Sequence, residues 1–218
     1  MAIAFDAASS ASTINSAHTS KTWSHTCTGS DRVLIVGIGT FNSTGGGKIS
    51  GITYNGVSMT LVAEASAQSN IYSSMWYLIA PSTGANNIVA SFASQTYDWC
   101  ASASYTGVAQ SGFPDASSSG NNTSTSITGT VTTIADNAWT VMTPLCNAAG
   151  ITGGTGTTVR AISPTNGRQA ICDSNGDITP AGSSSLIVNC NNDSNAQVIV
   201  SMEPAADAPV FVPTMQII

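Results

Sequence analysis

Few residues in this 218-residue chain are of a type that does chemistry. The histidines are His18 and His25, and "SHTCTGSD" sets His25 two residues before Cys27. Residues two apart on a strand project to the same face, so a Cys-His pair is the one nucleophilic arrangement that the spacing offers. The plainer alternative, a surface or half-buried strand histidine, is preferred. No G-x-S-x-G elbow is present to supply a serine nucleophile. The glutamates are Glu64 and Glu203, and the aspartates fall mainly in turn-like contexts such as "SD" at 30–31 and "FPDAS" at 113–117. Asx turns account for those, which disfavours the paired carboxylates of a glycosidase. "DSNGD", Asp173 to Asp177, has the oxygen-rich look of a calcium loop but lacks its distal glutamate, so a hairpin turn is expected. In "STGGGKIS" an isoleucine follows Lys48 where a phosphate loop needs Ser or Thr. No catalytic residue, metal ligand or cofactor is assigned, and the chain is expected not to be an enzyme.

Trp23, Trp76, Trp99 and Trp139 all lie inside strand patterns, where packing with a partnered indole N–H is the default. Trp23 and Trp99 are kept as candidate glycan-facing aromatics. Cys27, Cys100, Cys146, Cys172 and Cys190 are widely spaced without a C-x-x-C pair, which argues against zinc or redox chemistry. Small buried thiols are the expected state; one or two disulfides stay open.

These residues must be positioned by strands. Strand signals recur between Gly/Ser/Asn/Pro clusters, near 3–6, 21–27, 32–41, 49–54, 57–62, 71–79, 87–92, 99–105, 126–133, 139–143, 157–162, 169–172, 186–190 and 197–202. No stretch holds a helical apolar period. Asn55-Gly56 is a type I′ hairpin signal. In "VSMTL", 57–61, the alternation places Val57, Met59 and Leu61 on a core face. "RVLIVGIGTF" and "IYSSMWYLIA" are apolar on both faces, so each is covered twice, by the second sheet and loops or by another subunit. "FNSTGGGKIS", "SSSGNNTSTS" and "NAAGITGGTGTT" read as polar surface loops. Tyr54–Val57 is echoed at Tyr105–Val108, which is read as two similar turns, not as a repeat architecture. The expectation is an all-β, antiparallel two-sheet sandwich over 1–203 with almost no helix. A proline-punctuated extended arm, 204–218, follows. Its Val210, Phe211, Val212, Met215, Ile217 and Ile218 each gain roughly 1.5–3 kcal/mol for the larger side chains if buried, which makes the arm a candidate interface.

Charged residues make up only 7 %, and the net charge is −6. Without a basic cluster, nucleic acid and anionic membrane surfaces are poor partners, and no apolar run is long enough to span a bilayer. "MAIAFDAASS" does not read as a secretory signal peptide. A Lys-poor, hydroxyl-rich surface suits life outside cells, so the lack of an export signal poses a tension. A virion component, assembled in the host cytoplasm and released by lysis, resolves it.

"SHTCTGSDRVLIVGIGT", "ITYNGVSMTLV", "MWYLIAPSTGANNIVASF", "ASYTGVAQS", "TTIADNAWTV" and "VIVSMEPA" together resemble jelly-roll-like β-sandwich proteins of tailed-bacteriophage virions. The likeness extends to about residue 205. It implies a jelly-roll-like sandwich and a structural role, either as a capsid decoration or cement protein that binds the major capsid protein or other virion proteins, or as a tail-fibre module. A homo-oligomer, trimer or dimer, is expected with it. The alternatives are a lectin-like module that binds glycans through loops 42–48, 112–126 and 150–157, and an extracellular filament or surface protein. The family brings no catalytic motif.

Overall fold

The computed structural model describes residues 1–41 and 48–207. Among them are thirteen strands and no helix, arranged as two antiparallel sheets. The first sheet contains β1 (Ala4–Cys27), β2 (Val33–Phe41), β3 (Ile49–Tyr54), β4 (Val57–Ser58), β5 (Thr60–Gln68), β6 (Ile71–Ile79) and β7 (Gly84–Thr106). The second contains β8 (Ala116–Thr132), β9 (Trp139–Cys146), β10 (Thr152–Gly153), β11 (Thr158–Ile162), β12 (Ala170–Asp173) and β13 (Ser183–Met202). Each sheet is thus drawn from one contiguous half of the chain.

The two halves share one topology. In the first, the order is β3-β7-β2-β6-β5 with β1 on the free side of β7; in the second it is β10-β13-β9-β12-β11 with β8 on β13. Only β4 has no counterpart. The segments that leave the equivalent strands β7 and β13 run antiparallel to each other, with Ala109 N–H on Glu203 O at 2.9 Å and Ala205 N–H on Gly107 O at 2.7 Å. Pairing of equivalent segments with one another is what a two-fold relation between halves produces. The Tyr54/Tyr105 echo lies elsewhere: Asn55 and Gly56 (φ 48° and 77°) make the expected hairpin turn, whereas Gly107 (φ 70°) is a strand exit. Duplication of architecture is therefore present without a legible repeat of sequence.

Long bent strands explain how each half encloses a core. β7 pairs with β2 through its C-terminal part and with β3 through its N-terminal part, while β1 follows it along both, with register shifts between Thr13 and Ser20. The chain then passes at Met59 from the edge of β3 to the edge of β6, so the first sheet nearly closes into a barrel. Leu34, Val36, Ile38, Ile52, Tyr54, Trp76, Ile88 and Trp23 fill its inside. The second half encloses Ile127, Met142, Ile151, Leu186 and Ile199. A third cluster joins the two sheets: Val33, Ile35, Met75, Ala103 and Tyr105 face Trp139, Val141, Ile171, Val198 and Val200. A Cβ on Gly37 would sit 2.6 Å from Thr143 Cγ2, so a glycine there permits the sheets to approach closely.

Several sequence expectations change. The strands expected at 3–6 and 21–27 are one strand, β1, and the same fusion makes β7 and β13. "SSSGNNTSTS" is not a loop but part of β8, paired with Asn189 and with 193–200 of β13, because ladder bonds to a strand of the same sheet override its weak intrinsic preference. Val57 and Leu61 are exposed, 51 % and 45 %, and only Met59 is buried, because the hop between sheet edges breaks the alternation. The doubly apolar β2 and β6 are covered on both faces by this chain's own clusters. Val210, Phe211, Val212, Met215, Ile217 and Ile218 lie outside the described residues, as do residues 42–47.

Candidate functional site

His25 is buried where the two ends of β1 meet β7. Its Nδ1 lies 2.9 Å from Ser9 Oγ and its Nε2 3.0 Å from Ser104 Oγ, and Ser104 Oγ donates to Asp6 Oδ2 at 2.7 Å. Ser102 Oγ joins Ser9 Oγ at 2.8 Å and accepts the Trp23 indole N–H at 3.3 Å. Burial pulls His25 down to about 4, with Asp6 opposing weakly, so the ring is neutral near pH 7. Burial also raises the Cys27 thiol above its ordinary value. The Cys-His pair that the spacing offered is not assembled, and His25 is a buried strand histidine, as preferred: it bonds to serine hydroxyls, and Cys27 is held as a thiol rather than the nucleophilic thiolate. A hydroxyl lies between His25 and Asp6 where a triad would have direct contact.

The other polar clusters are similarly engaged. His18 Nε2 lies 2.6 Å from the fully buried Asp98, close but off-line for a hydrogen bond, and the Cys100 thiol donates to Asp98 at 3.3 Å. Burial outweighs these partners and raises the Asp98 carboxyl above its ordinary value. Arg160 Nε donates to buried Asp173 at 2.7 Å, Tyr105 OH does so at 2.9 Å, and the guanidinium lies 4.2 Å from the centre of the Phe5 ring. Asn175 N–H closes an Asx turn on Asp173, and Asp177 accepts the Trp139 indole N–H at 2.9 Å, so one aspartate of "DSNGD" serves the turn and the other ties it to β9. Among the described residues no three His, Cys, Asp or Glu side chains gather as a metal site. Glu203 sits beside Asp115, whose carboxylate accepts Ser201 Oγ at 2.9 Å and Ile134 N–H at 3.0 Å instead of an Asx turn. Burial and Asp115 raise the Glu203 carboxyl. Two carboxyls in direct contact leave no gap for a glycosidic bond. All five cysteines are free, which settles the disulfide question.

One region differs. A cleft of ≈ 520 Å³ opens where the halves meet, within the size range of small-molecule sites. It is lined by Phe41 at the end of β2, Gln68, Asn70 and Ile71 at the β5–β6 turn, Tyr97 and Trp99 on β7, and Ile14 on β1. Asn147, Asn166 and Arg168 come from the second half. Phe41 and Tyr97 are cross-strand partners with stacked rings 6.0 Å apart. Arg168 lies 4.9 Å from the centre of the Trp99 ring and donates through Nη1 to Asn147 Oδ1 at 2.9 Å. Two buried donors here, Trp99 Nε1 and Arg168 Nε, have no hydrogen-bond partner among the described residues. Leaving such a group unpaired costs about 1–3 kcal/mol. The other three tryptophans are paired, Trp23 to Ser102, Trp76 to Ser74 and Trp139 to Asp177.

Of the two candidate aromatics, Trp99 stands in this cleft and Trp23 is packed inside the first half. The loops 112–126 and 150–157 do not line it. Tyr97 and Trp99, two apart in "TYDW", are the only local signal for the site; Phe41, Asn147 and Arg168 are brought to them by sheet pairing and packing. No family model, curated protein or solved structure matches this chain.

Proposed function

We propose that the chain is a non-catalytic structural protein of a phage particle, a capsid decoration or cement protein acting through contacts with the major capsid protein, other virion proteins and copies of itself. The jelly-roll-like likeness belongs to this proposal. The observation that supports it most is β8. This 17-residue strand, Ala116–Thr132, pairs among the described residues on one side only, with β13, and carries no charged residue. Natural edge strands are usually blunted by charge, proline or shortness. An uncharged edge of this length, rich in hydroxyls, is a surface suited to repeated main-chain pairing at high local concentration. Assembly in the host cytoplasm and release by lysis fit a chain whose thiols are free and largely buried.

The test is co-sedimentation with emptied phage shells, together with light scattering of the isolated protein. Dimers or trimers that bind shells are expected, and the double variant Ser119→Lys/Thr123→Lys should lose both properties while melting within a few degrees of the parent. A monodisperse monomer that ignores shells overturns the proposal. A second reading, a glycan-binding module, is favoured by the aromatic cleft. The filament alternative has no comparable support.

A further inference from the structure

The cleft between the halves carries the inference, which rests on the glycan-binding reading. We infer that it takes a carboxylate-bearing saccharide of the uronic- or sialic-acid class, with the C–H face of the sugar on Tyr97 and Phe41 and its carboxylate on Arg168. A pyranose ring has apolar faces and hydroxylated edges, and the lining has the matching parts: stacked rings 6.0 Å apart, and the amides of Gln68, Asn70, Asn147 and Asn166 around them. Among the described residues Arg168 is the charged member of this lining, and no carboxylate lines the cleft. Its plane is held over Trp99 and one nitrogen is fixed on Asn147, which leaves Nε without a partner. A guanidinium immobilised in this way presents a fork that fits a carboxylate. Asp193 makes no ion pair with it among the described residues and is engaged by Asn147 Nδ2 at 3.0 Å and by Ser194 N–H at 2.6 Å. The unpaired Trp99 N–H behind the same wall is a second donor that a small opening of the cleft would offer to a ligand oxygen. Buried donors without partners call for an explanation, and a ligand in the cleft supplies one for these two.

The experiment is calorimetric titration, read in parallel by tryptophan emission, with trigalacturonate and its methyl ester and with 3′-sialyllactose and lactose. At least one acidic member should bind saturably and at least tenfold more tightly than its neutral counterpart. Arg168→Gln should erase that preference, and Arg168→Lys, which keeps the charge but not the fork, should restore part of it. Tyr97→Ala should weaken acidic and neutral members alike, and Trp99→Phe should remove the emission change. Unchanged melting of Tyr97→Ala and Arg168→Gln separates loss of binding from loss of fold. Equal affinity for acidic and neutral members, or a preference that survives Arg168→Gln, overturns the carboxylate assignment and leaves the glycan reading standing. Absence of binding to all four overturns both.

Discussion

The seam around His25 and the cleft around Trp99 both draw side chains from the paired strands β1 and β7, yet their hydrogen bonds differ. In the seam, both nitrogens of the buried imidazole, three serine hydroxyls and an indole N–H are joined in one network that ends on Asp6. In the cleft, an indole N–H and a guanidinium Nε are buried with no partner among the described residues. A closed network rigidifies and specifies its surroundings. It has no spare valence for a ligand. An open one is costly unless something else completes it, so the types of residues alone do not tell a site from a strut; their remaining bonding capacity does.

Two arginines give this contrast its largest handle. Arg160 and Arg168 both lie against aromatic rings, but Arg160 also neutralises the fully buried Asp173, and Arg168 meets only a neutral amide. Removing one partner of a buried pair leaves an uncompensated charge, which costs about 3–5 kcal/mol. Tyr105 OH and Asn175 N–H still hold Asp173, so Arg160→Met should fall near the lower end of that range in denaturant unfolding. Arg168→Met strands no carboxylate and should cost under about 1 kcal/mol. Equal losses would erase the distinction between the two regions.

The seam should also respond to pH. His25 titrates near 4 when folded against 6.5 for an ordinary histidine, so between these values the unfolded chain binds more protons than the native one. Stability then rises with pH across that window and is lost as pH falls from about 6.5 towards 4, by at most about 3 kcal/mol. Asp6, whose carboxyl is lowered by its hydrogen bonds from Thr28 and Ser104 against the opposing effect of burial, adds a loss of the same sign at lower pH. Raised Asp98 acts in the opposite sense, since its folded form holds a proton longer. Melting temperatures measured from pH 7 to 4 should fall for the parent and fall less for His25→Gln. A parallel pair of curves would mean that the imidazole is not kept neutral by its burial.

Much of the architecture could be read from residue order, and the reasons it stopped where it did are physical. Alternation and turn residues located most strands, and Asn55-Gly56 located a hairpin to the residue. Ser117–Ser126 and the Thr13–Ser20 region were opaque because small polar residues have little preference of their own and take the conformation that neighbouring strands impose. The duplication was hidden because topology survives changes that erase sequence likeness, as the different residues filling the two half-cores illustrate. The doubly apolar β2 was recognised as covered twice, and one face does meet the second sheet; the cover on the other face comes from the bent arms of β1 and β7 with β3, which no local pattern describes. Trp99 was named for its type alone; its partner Arg168, and Asn147 which holds Arg168, come from the other half of the chain.

The smallest effect is the most discriminating, and it uses matched indoles. Trp139 and Trp99 are nearly equally buried, at 7 % and 4 % exposure, and both contribute a large ring to packing. Phenylalanine in either place sacrifices similar apolar area, so the difference between the two costs isolates the fate of the N–H. Trp139→Phe leaves Asp177 without its donor at 2.9 Å, a net loss of about 0.5–1.5 kcal/mol for the bond itself, beyond the change in packing. Trp99→Phe removes a donor that already lacks a partner, so its hydrogen-bonding term should be zero or favourable, and the measured destabilisation should be smaller than that of Trp139→Phe. If Trp99→Phe instead costs as much or more, the indole N–H is satisfied in solution, for example by an ordered water, and the cleft is then as closed as the seam.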